Sequence, residues 1–139
     1  MNRTREIIVV DDDRGYLESF CGLAREVLEL EPIGFDKPSD AIQHIQSRKT
    51  APLASFVDMK PYDLGLLKKT TTKEDLPELE MPEQIHTLLR ERGWLRNFYF
   101  ITAHVSEYDS QVLVRTGADY LEKDSRTIGD KLRQIAREA

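Results

Sequence analysis

Five short apolar runs, each followed by an amphipathic stretch, constrain this chain more than any other feature of its sequence. Ile7-Ile8-Val9-Val10 opens the series, and a β-branched run of this kind reads as a buried strand. Behind it, Leu17, Phe20, Ala24, Val27 and Leu28 recur at three- and four-residue spacing, which predicts a helix over 14–29 with those side chains facing inward. Pro32 helps end that helix, and 33–35 reads as a short second strand. Pro38 suits the first turn of a second helix, whose buried face is Ala41, Ile42 and Ile45. A third strand, Ala54-Ser55-Phe56-Val57, ends at Asp58. Residues 84–92 predict a helix with Ile85, Leu88 and Leu89 facing in and Gly93 as its stop. Phe98-Tyr99-Phe100-Ile101 is a fourth strand ending at Thr102. Ser106 with Asp109 three positions on has the pattern of a capping box for a helix that Gly117 ends. Tyr120-Leu121-Glu122 is a short fifth strand ending at Lys123, and Ile128, Leu132, Ile135 and Ala136 mark a last amphipathic helix.

Five β-α units in succession imply an α/β fold, a parallel sheet with helices on both faces. Right-handed crossovers deliver every strand's carboxyl end to one edge, and ligands of open α/β sheets gather there. The residues closing the strands at that edge are Asp11 and Asp12, Asp58, Thr102 and Lys123. Asp13, next in line, reads as a solvated helix-start residue, since acids favour a helix N-terminus.

Composition narrows the function classes. The 139 residues fit one domain with a real core. The net charge of −5 is spread over interleaved acids and bases, and no basic stripe suggests nucleic acid as a direct ligand. One cysteine, Cys21, excludes an intrachain disulfide or a CxxC metal site and reads as a small core residue. No signal peptide and no membrane-length apolar stretch is visible, so a soluble cytoplasmic protein without membrane contact is expected. His44 and His86 lie beside polar neighbours and are expected to be exposed; Trp94 is expected to anchor the turn into the fourth strand. One region breaks the spacing: the polar, proline-containing stretch at about 62–82 reads as an insertion between the third strand and third helix, either a passive loop or a lid or docking element.

Three carboxylates and one ammonium at one sheet edge suit a hard divalent cation that keeps several waters, Mg²⁺ above all. With it bound, local charge falls near neutral and a dianionic phosphoryl group can approach. A carboxylate can then attack phosphorus to give an acyl phosphate. Lys123 would stabilise the equatorial oxygens of the transferring group, and the Thr102 hydroxyl can donate one hydrogen bond to a phosphoryl oxygen after transfer.

Val9-Val10-Asp11-Asp12, Val57-Asp58, Ile101-Thr102-Ala103, Gly117-Ala118-Asp119-Tyr120 and Leu121-Glu122-Lys123, in that order, resemble the motifs of a receiver (response regulator) domain of two-component signalling, CheY-like. The resemblance covers nearly the whole chain except the insertion. It implies a doubly wound sheet of strand order 2-1-3-4-5, as in flavodoxin-like folds, with Asp58 as phosphoacceptor. Asp12 and Asp58 would ligate Mg²⁺ together with the backbone carbonyl of Lys60, and Asp11 would act mostly through a metal-bound water. Lys123 would pair with the phosphoryl group, Thr102 would track it, and Tyr120 would move inward with Thr102. Ala103 is small where bulk would block the donor. The implied partners are a histidine kinase or histidine phosphotransfer domain upstream and a separate protein or an absent output domain downstream. Receivers often use the fourth helix, fifth strand and fifth helix for partners or a homodimer, and the matching surface here, roughly 106–137, fits either a partner face or an ordinary solvated one.

Three positions depart from that family. Asp124 follows the lysine where proline is usual; a cis bond without proline costs ~3–4 kcal/mol, so a trans Lys123–Asp124 bond is expected, with Asp124 capping the last helix. Asp58-Met59-Lys60-Pro61 brings proline, and then Gly65, one position early. Lys60 and His104 flank the phosphoryl position and are expected to alter the lifetime of the acyl phosphate. A degenerate receiver that binds partners without phosphorylation is the competing reading. A small haloacid-dehalogenase-type phosphatase lacks its Asp-x-Asp nucleophile motif here, and a nucleotide-binding flavodoxin-like protein would want a glycine-rich phosphate loop.

Overall fold

The computed structural model describes residues 5–59, 76–105 and 107–139, and at 76–81 and 108 the backbone alone. Strands β1 (Glu6–Val10), β2 (Glu31–Phe35), β3 (Ala54–Asp58), β4 (Phe98–Thr102) and β5 (Asp119–Glu122) alternate with helices α1 (Arg14–Gly22), α2 (Pro38–Ser47), α3 (Leu76–Glu91), α4 (Glu107–Thr116) and α5 (Ser125–Glu138). All strand pairs are parallel, in the order β2-β1-β3-β4-β5. The central strands are apolar on both faces, as a sheet covered twice requires. Ile7, Val9, Phe56 and Ile101 pack with Phe20, Ala24, Leu132 and Ile135 under α1 and α5. Ile8, Val10, Val57 and Phe100 pack with Ala41, Ile45, Ile85, Leu89 and Val112 under α2, α3 and α4.

The strand order reverses between β1 and β3, the point at which open α/β sheets bind ligands beside the strands' carboxyl ends. In register, Val10 pairs with Val57, Asp58 with Ile101, and Thr102 with Glu122. The strand-closing residues of β1, β3, β4 and β5 are thereby brought to one edge.

Several elements differ from what periodicity predicts. The first helix passes at Leu23 into a π-helical turn, Leu23–Val27. A wider turn carries each following side chain out of phase with a 3.6-residue stripe, so Val27 is 64% exposed while Leu23 and Leu28 pack against the core. β2 begins at Glu31, and Pro32 lies within it, paired with Ile7. An edge strand accepts proline because one side of its ladder is unpaired. α3 starts at Leu76 and runs through Pro82, where 84 was expected. Residues 60–75, which include Lys60, Pro61, Gly65 and much of the predicted insertion at about 62–82, lie outside the described residues, as does Ser106 of the expected capping box. Gly93 (φ 72°) and Gly117 (φ 68°) end α3 and α4 in the left-handed conformation their positions imply.

His86 is a correction: it is 4% exposed, with its ring 4.9 Å from Phe98 and 6.1 Å from Phe100. The buried arc of the longer α3 is Pro82, Ile85, His86 and Leu89, a stripe wide enough to take in the histidine. Burial, and then the Arg90 charge, lower its pKa against an opposing pull from Glu83. His44 is half-buried against Phe35, 5.2 Å between rings, and not fully exposed as expected. Cys21 is half-buried on the face of α1 that meets Gly34. Trp94 holds the turn before β4 as expected: its backbone N–H donates to Leu89 O at 2.8 Å, and the Arg92 guanidinium lies 5.0 Å over its ring. Among the described residues, no helix is long and apolar enough to cross a membrane.

Candidate functional site

Asp11 leaves β1 fully buried and Asp58 ends β3 at 5% exposure, while Asp12 is exposed. One carboxylate oxygen from each of the three can be chosen so that all lie within 4.8 Å of one another. Oxygen donors at that spacing fit a hard divalent cation. The Asp11 carboxyl is held in place by the backbone, since Oδ1 accepts from Asp13 N at 2.9 Å. Burial pushes its pKa up, against opposing bonds from Lys123 and Asp13. A buried carboxylate in that condition gains from added positive charge.

Lys123 supplies the charge. Its Nζ lies 2.7 Å from Asp11 Oδ2 and 3.4 Å from Asp58 Oδ1, with only 14% of the side chain exposed. Burial opposes the ammonium, yet the bonds and charges of Asp11 and Asp58 outweigh it and raise its pKa. The lysine reaches the site from a regular backbone: Lys123 N donates to Thr102 O at 2.8 Å, and no described peptide bond is cis. Asp124 spends its carboxylate elsewhere. It caps α5, accepting from Arg126 N at 2.9 Å and Thr127 Oγ1 at 2.6 Å, and the Thr127 bond leads the causes that lower its pKa.

Strand alternation divides the remaining residues. Val9, Phe56 and Leu121 belong to the α1–α5 face, so Asp11, Asp58 and Lys123, two positions on, share that side. Phe100 belongs to the opposite core, so Thr102 turns toward α4. There its hydroxyl is 2% exposed and donates to His104 O at 3.0 Å or to Asp109 Oδ2 at 3.3 Å. His104 N returns a bond to Thr102 Oγ1 at 3.3 Å. Asp109 is fully buried, a role that its place in a capping-box pattern did not reveal. The only signal was its spacing, seven residues after Thr102 and three before Val112 on the same helix. Ala103 and His104 are exposed beside the site. Tyr120 is 42% exposed on β5, on the same side of the sheet as Thr102 by alternation. Asp13 stays out of the acidic cluster and caps α1, accepting from Tyr16 N at 3.1 Å.

The residue that sequence reading missed altogether is Tyr16. Its ring centroid lies 4.8 Å from Lys123 Nζ. The stripe that placed Leu17, Phe20 and Ala24 on the core face at three- and four-residue spacing gave Tyr16 no particular weight.

No protein-family model matches the sequence, and no curated protein matches it. Solved structures do. A CheY-like response regulator receiver domain protein from Methanospirillum hungatei JF-1 is 20% identical, covering 99% of this chain and 100% of that one, with a TM-score of 0.65. A response regulator receiver protein from Pseudoalteromonas atlantica is 12% identical over 96% of this chain and 98% of that one, with a TM-score of 0.69. The chemotaxis protein CheY4 of Vibrio cholerae is 12% identical over 96% and 99%, with a TM-score of 0.66. Identities this low speak for backbone architecture alone, and architecture does not by itself assign chemistry. The chain has the CheY-like fold of response regulator receiver domains, over nearly its whole length.

Proposed function

We propose that the chain is a single cytoplasmic receiver domain, with an insertion at about 62–82, whose Asp58 accepts a phosphoryl group from a histidine kinase or histidine phosphotransfer domain and thereby changes partner binding. The observation that carries this reading is the bridge of Lys123 between Asp11 and Asp58. A lysine shared by two buried acids is a costly arrangement for stability alone, and it aims a cation at the space where a phosphoryl group on Asp58 would lie.

The step is a group transfer. An Asp58 carboxylate oxygen forms the new bond to phosphorus as the bond from phosphorus to the donor's imidazole nitrogen breaks, and that nitrogen keeps the electron pair. Lys123 offers N–H donors to the phosphoryl oxygens, where charge stabilisation contributes most. Mg²⁺, held by Asp11, Asp12 and Asp58 with a further oxygen expected from Lys60, would neutralise the carboxylates and polarise the phosphoryl oxygens. Thr102 takes up the phosphoryl charge after transfer, with Tyr120 following. Ala103 leaves room for the donor, and His104 and Lys60 govern how water reaches the acyl phosphate.

The test is acetyl phosphate with Mg²⁺, read by intact mass. Wild type gains one phosphoryl group, and Asp58→Asn gains none. No adduct on wild type favours the degenerate receiver, a module that binds partners without phosphorylation. The engagement of Thr102 with Asp109 is the observation on that side.

A further inference from the structure

Lys123 stands on a loop whose next residue is Asp124, and Asp124 is committed to capping α5. What holds its four-carbon stem over the site is therefore a question about side chains. Tyr16 answers it. Its ring lies 4.8 Å from Lys123 Nζ, inside the range in which a cation is drawn to an aromatic face. Burial first, and then the negative charges of Asp11 and Asp58, push the phenol's pKa well above its ordinary value, so the lysine meets a neutral ring.

The ring is fixed from both ends. Its backbone N–H is bound by Asp13, whose own N–H is bound by Asp11, the acid that pairs with Lys123. Four residues thus close a circuit: Asp11 to Asp13, Asp13 to Tyr16, Tyr16 to Lys123, Lys123 back to Asp11. On its other side the ring packs 6.2 Å from Phe20, which lies 5.0 Å from Phe56 in the core.

We propose that Tyr16 is a positioning residue for phosphoryl transfer, holding the Lys123 ammonium over Asp11 and Asp58 through the face of its ring. The proposal rests on the reading of Asp58 as phosphoacceptor. It predicts that the ring matters and the hydroxyl does not.

The experiment measures Mg²⁺-dependent phosphorylation of the full chain by acetyl phosphate for Tyr16→Phe and Tyr16→Leu, each also made in a Lys123→Met background. Tyr16→Phe keeps the wild-type rate, and Tyr16→Leu slows it about fivefold. In the Lys123→Met background the two variants and the tyrosine parent react at one common, lower rate. A urea-unfolding cycle over Tyr16→Leu and Lys123→Met checks the contact without phosphate and shows coupling between the two changes. Tyr16→Leu at the wild-type rate, Tyr16→Phe as slow as Tyr16→Leu, or an equal slowing without Lys123 overturns the proposal alone. A wild type that takes no phosphoryl group overturns the phosphoacceptor reading, and the kinetic role of Tyr16 falls with it.

Discussion

Replacing Lys123 by Met removes a cation that pairs with both Asp11 and Asp58 while keeping most of the side chain's length. At an effective dielectric of ~20, attraction across 2.7 and 3.4 Å is worth about 6 and about 5 kcal/mol before any offset. Desolvation of three charges and the mutual repulsion of the carboxylates cancel much of this. Breaking a buried pair by removing one partner costs ~3–5 kcal/mol. Little discount for solvent applies, because the side chains are 14%, 0% and 6% exposed. The expected loss in metal-free buffer at neutral pH is therefore about 3 kcal/mol or more, or roughly 10 °C in Tm. Its pH dependence has a definite sign. Asp11 already titrates above 3.8 because of burial, and loss of the Lys123 bond raises it further. An acid with a raised pKa binds more protons folded than unfolded, so stability falls as pH climbs through the window above 3.8. The deficit of K123M is largest at neutral pH and shrinks toward about pH 4. Urea denaturation at several pH values measures it, and Asp11→Asn added to K123M recovers a large part. A deficit below about 1 kcal/mol, the range of a solvent-exposed pair, or one that does not vary with pH, refutes the reasoning.

Asp109→Ala costs about 0.5–1.5 kcal/mol in urea unfolding by removing one of the two acceptors of the buried Thr102 hydroxyl, which keeps His104 O, and a cycle with Thr102→Val shows the two are coupled; simple additivity would mean that the 3.3 Å contact carries no energy. Gly34→Ala would set a methyl 3.2 Å from both Cys21 Sγ and Leu17 Cδ1. The crowding lowers stability by about 1–2 kcal/mol, and Cys21→Ala restores part of it, whereas a loss untouched by Cys21→Ala points to strand propensity instead. His86, with its lowered pKa, leaves the folded state short of a proton that the unfolded chain takes up below 6.5. Stability therefore falls as pH drops through 6.5, and His86→Phe flattens that part of the profile; an unchanged profile assigns the pH dependence to other groups.

Strand identity was legible wherever a β-branched or aromatic run lay in a central strand, because burial on both faces leaves such a run no other place. β3 and β4 end at Asp58 and Thr102 as read, and the site's acids and lysine follow from those ends. Helix faces were less legible. Val27 kept a perfect 3.6-residue spacing and still lies in solvent, because the π turn is a backbone event with no mark in the pattern of apolar residues. His86 was misjudged for a related reason: its polar neighbours in sequence, Gln84 and Thr87, say nothing of where its ring packs, which is against Phe98 and Phe100 on the next strand. Pro82 and Pro32 sit inside a helix and a strand where punctuation was expected. The partners of the site residues were least legible, since Tyr16 and Asp109 meet Lys123 and Thr102 only across the fold.

Asp58, Lys123 and Tyr16 occupy one face of the sheet's carboxyl edge, while Thr102 turns to the other and is bound to α4. For Thr102 to follow a phosphoryl group it must surrender the bond to His104 or Asp109. The bond to the His104 carbonyl is a neutral one, worth ~1 kcal/mol net, and one to a charged acceptor is worth ~1.5–3 kcal/mol. The exchange then favours the phosphorylated arrangement by only about 1 kcal/mol. Moving a two-state equilibrium from 1:99 to 99:1 takes ~5.5 kcal/mol. Thr102 alone therefore biases the proposed switch without setting it. The remainder has to come from charged groups whose pairing changes at the site, and Lys123, held by both Asp11 and Asp58, is one of these. In the proposed phosphorylated state, with phosphate and a cation sharing the two carboxylates, its pairing with Asp11 and Asp58 would be redistributed. Through the ring of Tyr16, which meets both Lys123 and Phe20, that redistribution would reach α1 and the core behind it. Phosphorylation would in this way be felt on both faces of the sheet at once.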